Sequence, residues 1–355
     1  MEQEHRIFRQ VEEDEVLLRL RRDPWAYRRY LNLEEHWRER FMEFCKGRKT
    51  LPLLYDTFFK RMFHPDIHPE RLSDCISCLL KETVKIKGIL PQEDVLIDGD
   101  ALMVMDILVE LTDGSLVLVE IQKVPYLFPA ERADCYSADL LLRQYSRVKG
   151  DRGKHFTYRD LKKVYTIIFY ENSTEEFHAY PDVWVHHSRT QSDSGLRLHH
   201  LQEFYFIALD VFRKSSYAKG RHKDDRLAGW LSLLCTEDAN EAEELCRIYP
   251  WLEEIYREMA AYSNNPEEVL GMFSEALREM DRNTVKYMIE QQQKVIEDQA
   301  AKLEEKDLLL SEKDSMISEK NSMITEKDLL LSRKDLEIER LKRLLGDNNM
   351  LHEEM

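Results

Sequence analysis

The sequence has no long hydrophobic run, since no stretch approaches the roughly 18 apolar residues that a membrane-spanning helix needs. The first fifteen residues, MEQEHRIFRQVEEDE, are acidic and lack the apolar segment of a secretory signal, so we expect no export by that route. The six cysteines are scattered along 355 residues, a chain too large to need disulfide stapling. We therefore expect reduced thiols in a cytoplasmic protein that does not enter a membrane.

Glycine is also scarce, with 11 in the chain, and the absence of a Gly-rich phosphate loop argues against a nucleotide-binding fold. No Gly-x-Ser-x-Gly arrangement supports an acyl-transfer enzyme. Cys75 and Cys78 form a lone CxxC without a second ligand pair at zinc spacing, so we expect buried thiols there. The net charge of −16 argues against a protein that coats nucleic acid, although an enzyme acting at one DNA site needs only a local basic face.

The most informative stretch is residues 102–123, LMVMDILVELTDGSLVLVEIQK, in which two β-favouring runs flank Thr112-Asp113-Gly114. This arrangement predicts a β-hairpin. Alternate residues of a strand point to opposite sides of the sheet, so one side of this hairpin is wholly apolar and is expected to pack on the core. The other side carries four polar residues among leucines: Asp106, Glu110, Glu120 and Gln122.

The length of the turn decides whether Asp106 and Glu120 face each other. A two-residue loop would pair Asp106 with Ile121 and would mix apolar and acidic residues on each side. A three-residue loop with Gly114 in the left-handed conformation pairs Asp106 with Glu120 and keeps the apolar residues together. Consistent patterning therefore predicts the three-residue loop.

That register sets two carboxylates opposite each other, with Cβ atoms roughly 4.5–5.5 Å apart. Like charges at this distance repel, whereas a divalent cation between them reverses the sign of the interaction, and hard oxygen ligands suit Mg²⁺ or Mn²⁺. Gln122 follows on the same side, where its amide could orient a water. If this side of the hairpin faces solvent, the acids are ordinary surface residues, and the pattern alone leaves both interpretations open.

These residues resemble a known family. An Asp on one strand, followed on its hairpin partner by Glu-x-Lys or Glu-x-Gln, is the signature of PD-(D/E)XK nucleases, and Asp106 with Glu120-Ile121-Gln122 matches the Gln variant. The surroundings are similar to the Rpn group of recombination-promoting nucleases and transposases, in which repeated heptads also form the tail. The matching features are Asp56-Thr57-Phe58-Phe59-Lys60, Met105 to Val109, Arg132, Tyr136, Gln144 and Val164 to Phe169.

The resemblance implies a restriction-endonuclease-like α/β core, a mixed sheet flanked by helices, that hydrolyses DNA phosphodiester bonds with Mg²⁺ or Mn²⁺. It assigns the metal to Asp106, Glu120 and the backbone carbonyl of Ile121, with Asp56 on the first helix as a further acidic candidate. Gln122 stands where many members have a lysine that activates or positions water. The residues implied near DNA phosphates are Arg132, Gln144 and Lys60.

Gln122 departs from the lysine of many family members, and its neutral amide cannot supply positive charge beside the reacting phosphate. Lys123 is adjacent and is a catalytic candidate, although an ideal strand points it to the opposite side. Lys60 is the second candidate for the missing charge. Residues 126–165 contain nine Lys or Arg against five Asp or Glu, which favours a nucleic-acid face, with an ordinary solvated helix and loop as the alternative.

Residues 286–346 repeat apolar pairs every seven residues, in units such as EKDLLLS and EKDSMIS, and one apolar column is unbroken from Ile289 to Leu345. This pattern predicts a C-terminal coiled coil that joins copies of the chain in a homo-oligomer. The positions three and four residues beyond the column hold Lys and Asp or Asn, so the apolar stripe is narrow. We expect a weak coiled coil, with a charge-laced single helix as the alternative.

The predicted organisation is a helical extension over 1–50, a nuclease-like core over 51–213, a helical domain over 214–285, the heptads over 286–346 and a tail over 347–355. The predicted function is a metal-dependent DNA endonuclease that promotes recombination. The alternative is a catalytically silent DNA-binding or scaffold protein that retains the fold, which Gln122 and the acidic net charge favour. A purely structural coiled-coil adaptor would leave the paired carboxylates unexplained.

Overall fold

The computed structural model describes residues 6–90, 107–123, 130–220 and 222–352, with the side chains of the last helix described up to 278 and for most of 296–343. The chain divides into two compact units, Met1–Arg282 and Asn283–Met355. In the described part of the chain, no helix is both long enough and apolar enough to cross a bilayer. All six cysteines are free thiols, as predicted.

The first unit is built on a six-stranded mixed sheet with the strand order β1-β2-β3-β4-β6-β5. Neighbouring strands β3, β4 and β6 run parallel, and the remaining neighbours are antiparallel. The mixed sheet flanked by helices is therefore confirmed. The strands are β1 Ile86–Ile89, β2 Ile107–Leu111, β3 Leu116–Gln122, β4 Val164–Tyr170, β5 Val185–Arg189 and β6 Gln202–Ala208.

Thirteen α-helices accompany the sheet in the described residues, and α6 is the crossover that returns the chain from β3 to the parallel strand β4. Two short 3-10 helices, Gly153–His155 and Tyr158–Asp160, follow α6. The α-helices are α1 Glu13–Leu20, α2 Pro24–Asn32, α3 Glu35–Cys45, α4 Asp56–Phe63, α5 Pro69–Leu80, α6 Ala130–Arg152, α7 Glu175–His178, α8 Leu209–Lys214, α9 Ser216–Lys219, α10 Arg226–Cys235, α11 Ala239–Ile248, α12 Leu252–Tyr262 and α13 Pro266–His352.

Helices cover both faces of the central strands. On one face, Val117, Val119 and Ile121 join a large core with the N-terminal helices and α10–α12. On the other face, Leu116 and Leu118 pack with apolar side chains of α6, namely Ala133, Tyr136 and Leu140. Every residue of β4 is buried. This double coverage explains why β3 and β4 are nearly continuous apolar runs rather than alternating ones.

The large core is continuous through the first unit. The ring of Phe273, on α13, lies 5.0 Å from that of Phe58 and 5.8 Å from those of Trp37 and Phe41, measured between centroids. These edge-on contacts join α3, α4 and the start of α13, and such pairs are worth about 0.5–1.5 kcal/mol each beyond the area they bury. Residues of all three segments predicted before 286 thus share one core, and the boundaries at 50 and 213 stay predictions.

The hairpin has the predicted register and turn. Ile107 pairs with Val119 and Val109 with Val117, which leaves three residues, Thr112 to Gly114, between the paired ends Leu111 and Ser115. Gly114 has a φ of 88°, the left-handed conformation that this loop requires. The Asp113 carboxylate accepts hydrogen bonds from the Ser115 backbone and hydroxyl at 2.9 and 2.8 Å, which fixes the turn from within.

Replacing Gly114 tests this turn. Gly114→Ala should lower the free energy of unfolding by about 1 kcal/mol, because alanine resists a positive φ. The new methyl group would also lie 3.3 Å from Cγ of Lys162. The matched control is Gly150→Ala in α6, where no heavy atom lies within 4 Å, and it should stabilise by about 0.5–1 kcal/mol. Urea unfolding measures both variants, and equal effects of the two would contradict the assigned turn.

Candidate active site

The parallel strands end together at one edge of the sheet. Gln122 on β3 pairs with Tyr170 on β4, and Tyr170 pairs with Ala208 on β6. Polar residues lie at or just beyond these ends, and we name this edge, formed by residues 120–123, 170–173 and 208–210, the carboxyl edge. In open α/β sheets, the carboxyl ends of parallel strands are the usual location of ligand sites.

Glu120 lies near the end of β3 and is only 2% exposed. It pairs with Ile168 of β4 and lies on the same side of the sheet as Leu118, the side that α6 covers. The interpretation that this side of the hairpin simply faces solvent is therefore wrong for Glu120. Burying a carboxyl group is costly unless cations or hydrogen-bond donors lie beside it, so Glu120 is not an ordinary surface acid.

The two residues after Glu120 differ in what they can offer. Ile121 is 5% exposed and its side chain belongs to the large core on the other face, so only its backbone can serve a site beside Glu120. Gln122 is half-buried, and its backbone carbonyl accepts a hydrogen bond from the Glu171 N–H at 2.8 Å. Strand alternation places the Gln122 side chain on the side of Glu120.

Asp106 lies outside the described residues. The described ladder between β2 and β3 ends at the pair Ile107–Val119, one residue short of Asp106 and Glu120. The pairing of these two carboxylates, and with it the full metal-ligand set, stays a prediction.

Lys123 is held on the other side of the sheet. Its Nζ lies 2.6 Å from a carboxylate oxygen of Glu171 and 3.4 Å from the centroid of the Tyr55 ring. Burial lowers the pKa of Lys123, while the adjacent Glu171 partly opposes that shift. The ammonium is therefore engaged in an ion pair and a cation–π contact that point away from Glu120. Its proposed catalytic role stays untested.

The first helix of the predicted core begins beside this lysine. Asp56 directly follows Tyr55 and is the first residue of α4, so the contact between Tyr55 and Lys123 brings the start of α4 to the carboxyl edge. Four aromatic and apolar residues anchor α4 in the large core, namely Phe58, Phe59, Met62 and Phe63. Asp56 and Lys60 remain partly exposed, one turn apart.

The two candidates on α6 are separated along the helix. Arg132, near the start of α6, donates from Nε and Nη2 to the Tyr136 hydroxyl at 3.1 and 2.6 Å. Gln144 is 2% exposed, and its carbonyl accepts a hydrogen bond from the Lys162 N–H at 2.7 Å. Lys162 precedes β4 and lies six residues before Ile168, the partner of Glu120, which corresponds to about 20 Å along a strand. The contact with Lys162 ties Gln144 to the opposite edge, and its expected place near DNA phosphates stays a prediction.

Three polar residues at the carboxyl edge form a network that the sequence patterns did not reveal. Asp210, at the start of α8, accepts hydrogen bonds from the Ser173 hydroxyl and backbone at 2.7 and 3.1 Å. Its other oxygen lies 2.7 Å from Nε2 of His178. Both partners bond to the aspartate and not to each other, so this is a structural clamp between the end of β4 and α8 rather than a nucleophile with its base.

A comparison with protein families identifies the fold. A family model described as PD-(D/E)XK nuclease family transposase matches residues 53–306, which is more than half of the chain. The chain belongs to this family. The same comparisons found no match to a curated protein and none to a solved structure.

The matched range, 53–306, includes both Asp106 and Glu120-Ile121-Gln122, whose assignment to the nuclease motif stays a prediction. Within the described ranges, which exclude Asp106, no group of three His, Cys, Asp or Glu side chains is placed to hold a metal ion. Glu120 and the Ile121 carbonyl nevertheless offer oxygen donors, the ligand type that Mg²⁺ and Mn²⁺ take, so the residues present fit such an ion.

Asp139 on α6 is a buried acid that the sequence patterns did not indicate. The Asp139 side chain is almost fully buried, and its Oδ2 accepts a hydrogen bond from Arg143 Nε at 2.7 Å. Its Oδ1 is buried without a hydrogen-bond partner. The spacing of four residues between Asp139 and Arg143 was visible in the sequence, but it is equally typical of an exposed helical ion pair.

The Asp210 network makes stability depend on pH. Burial alone would raise the pKa of Asp210, but the hydrogen bonds from Ser173 and His178 outweigh it and hold that pKa below its usual value. The unfolded carboxyl titrates near pH 3.9, so its stabilising contribution is present above about pH 4 and is lost as the pH falls through the lower folded pKa.

Asp210→Asn should therefore lower the free energy of unfolding by about 1.5–3 kcal/mol at pH 7, the range for hydrogen bonds to a charged group. The difference from the wild type should shrink as the pH falls below 4. Urea unfolding at pH 7, 5 and 3 measures it, with Asp193→Asn in an exposed loop as the control. A difference that stays constant down to pH 3 would contradict the assigned charge state.

Proposed function

We propose that the chain is a metal-dependent DNA endonuclease of the Rpn type that hydrolyses phosphodiester bonds and promotes recombination. The observation that carries this proposal is the buried Glu120 carboxylate at the carboxyl end of β3, inside a hairpin whose register leads from Val119–Ile107 toward Asp106. Family membership supplies the reaction class. The thiols, all free, suit action in the reducing cytoplasm.

Asp106, Glu120 and the Ile121 carbonyl would hold Mg²⁺ or Mn²⁺, with Asp56 at the start of α4 as the further acidic group. When bound, such an ion polarises the phosphoryl oxygen and lowers the pKa of a nearby water toward neutrality. Gln122 would orient that water by a hydrogen bond through its neutral amide. Lys60 and Arg132 would lie toward the phosphates, on either side of the sheet.

The decisive substitution is Glu120→Gln, which keeps the size of a buried side chain and removes its charge. Nicking of supercoiled plasmid in Mg²⁺ or Mn²⁺ should fall by about 100-fold or more, since loss of even an outer partner of a metal ligand costs 10–100-fold. The rise in melting temperature that Mn²⁺ gives the wild type should vanish as well. Asp106→Asn should behave in the same way.

Glu110→Gln is the matched control, because Glu110 lies on the same side of the hairpin as Glu120 but at its turn end. There it pairs with Lys87 at 3.0 Å and Arg147 at 3.1 Å. This variant should nick plasmid like the wild type. Equal nicking activity of Glu120→Gln and the wild type would contradict the proposed metal site.

A second function has its own supporting observation. Gln122 stands in the lysine position, and the neighbouring Lys123 is occupied by Glu171 and Tyr55. A site in which neither of these two residues offers a free positive charge to the reacting phosphate suits a protein that binds DNA, does not cleave it and retains the nuclease fold. That function predicts salt-sensitive DNA binding by the wild type, no nicking in either metal, and unchanged or tighter binding after Glu120→Gln.

We further propose that the heptads of α13 join copies of the chain in a homo-oligomeric coiled coil. The unbroken apolar column is about half exposed at every described position, for example 57% at Leu310 and 55% at Ile317 and Ile324. A second copy would remove this apolar surface from water, and the narrow stripe makes the association weak.

Charges placed in this column test the association. Ile317→Asp with Ile324→Asp should convert a concentration-dependent oligomer into a monomer, because the pair would place carboxylates in the seam. Sedimentation velocity at protein concentrations from about 1 to about 100 µM measures the oligomeric state of each variant. Ser318→Asp with Thr325→Asp adds the same charge beside the column and should leave the oligomer intact, whereas a monomeric wild type throughout would refute the proposal.

A further inference from the structure

A second cluster of chemistry-bearing residues lies at the edge of the sheet opposite Glu120. The end of α6 and the two 3-10 helices bring three aromatic rings together there. The Tyr145 ring lies 5.4 Å from that of Phe156 and stacks at 6.1 Å on that of Tyr158, with 11° between the planes. Phe156 and Tyr158 are 5.5 Å apart, edge to face.

The outer ring of this cluster faces water. Tyr158 is 73% exposed, among the highest values for a large side chain in the described structure. The 3-10 helix that carries it is held by a capping box, in which the Thr157 N–H donates to the Asp160 carboxylate at 2.8 Å. The ring is thus exposed but fixed on a rigid support, which lowers the entropy cost of stacking a ligand on it.

The surrounding charge is positive although the chain as a whole is strongly negative. Residues 145–163 contain seven Lys or Arg against two Asp, and two of the cations pair with carboxylates from outside this stretch, Arg147 with Glu110 and Lys163 with Glu203. The local excess is therefore three positive charges, within a total of −16. Lys149 donates to the Tyr145 hydroxyl at 2.7 Å, and two exposed residues, Lys154 and Arg159, flank Phe156 and Tyr158 in the sequence. We name Tyr145, Lys149, Lys154, Phe156, Tyr158 and Arg159 the basic–aromatic patch.

We propose that the basic–aromatic patch binds an unpaired segment of DNA strand, with a base stacked on Tyr158 and the flanking phosphates on Lys149, Lys154 and Arg159. Exposed aromatic rings interleaved with basic side chains are the chemistry by which proteins hold single strands without reading sequence. A duplex hides its base faces and offers only its phosphates to such a surface. This inference rests on the proposed function only in taking DNA as the ligand.

The patch is distant from the proposed cleavage site. Val164, which follows the patch, begins β4, and the partner of Glu120 on that strand is Ile168, four residues or about 13 Å further on. At the 3.4 Å per nucleotide of a duplex strand, about four stacked nucleotides would span that distance. DNA with a single-stranded flank next to a duplex would be able to reach both places.

Binding of a labelled 20-nucleotide single strand and of the matching duplex, measured by fluorescence anisotropy, tests the proposal. The titrations use full-length Glu120→Gln protein in EDTA, so no cleavage intervenes. Tyr158→Ala should weaken single-strand binding by about tenfold, within the range for loss of one base–aromatic stack, and should change duplex binding by less than about twofold. Trp25→Ala, which removes an aromatic that is 72% exposed elsewhere, is the control and should change neither.

A second variant separates charge from stacking. Lys149→Gln with Arg159→Gln should weaken both DNA forms, and the slope of single-strand affinity against salt should fall by about 0.7 for each phosphate that is no longer neutralised. Arg28→Gln, on the exposed side of α2, is the charge-matched control for one of these two substitutions. Circular dichroism melts establish that each variant is folded.

The outcomes are distinct from those of the nuclease proposal. If the wild type nicks no plasmid but Tyr158→Ala loses single-strand binding selectively, the proposed function fails and the patch stands. Absence of single-strand binding by the Glu120→Gln protein, or an equal effect of Tyr158→Ala and Trp25→Ala, would overturn the patch. Equal losses of duplex and single-strand binding with Tyr158→Ala would also overturn it, since the surface would then be electrostatic only.

Discussion

The rest of the first unit depends on the burial of β3 and β4 on both faces. A strand covered on both sides can carry a charged side chain only near its end, where water, a ligand or a loop can reach it. Glu120 occupies that place on β3, on the side of the sheet that α6 covers, and Gln122 and Lys123 follow where the strand ends. The same packing that stabilises the sheet therefore concentrates polar chemistry at the carboxyl edge.

Strand alternation divides that edge into two sides with different charges. Glu120 and Gln122 lie on the side of α6, whereas Lys123 lies on the side of α4 and meets Glu171 and Tyr55. The Lys123 ammonium contacts both the Glu171 carboxylate and the Tyr55 ring, which stabilises the contact between α4 and the sheet. Lys123, although adjacent to Gln122 in the sequence, therefore lies on the side of the sheet opposite Glu120.

Helix α6 links the two edges of the sheet because its 23 residues span about 34 Å, longer than the strands that it crosses. Arg132 lies near its start and bonds to Tyr136, whereas Tyr145 and Lys149 lie in its second half, with the Tyr145 ring against those of Phe156 and Tyr158. Lys162, at one edge of the sheet, and Ile168, near the other, are six residues apart, or about 20 Å in extended chain. The basic residues of 126–165 are continuous in the sequence but consequently lie at two places separated by about this distance. A single DNA face cannot be read from their summed charge.

The sequence by itself determined the hairpin, its register and its turn, because apolar alternation and the requirement for a left-handed Gly114 admit one arrangement. It also predicted the long C-terminal helix, whose heptad pattern is strong and local. It did not predict β1 or β5, short edge strands with half-buried, mixed sequences, nor the clamp of Asp210, Ser173 and His178, which are separated by up to 37 residues. Only the tertiary structure decided that Glu120 is buried, that Lys123 pairs with Glu171 and that Gln144 anchors the far edge, because each depends on how distant elements pack together.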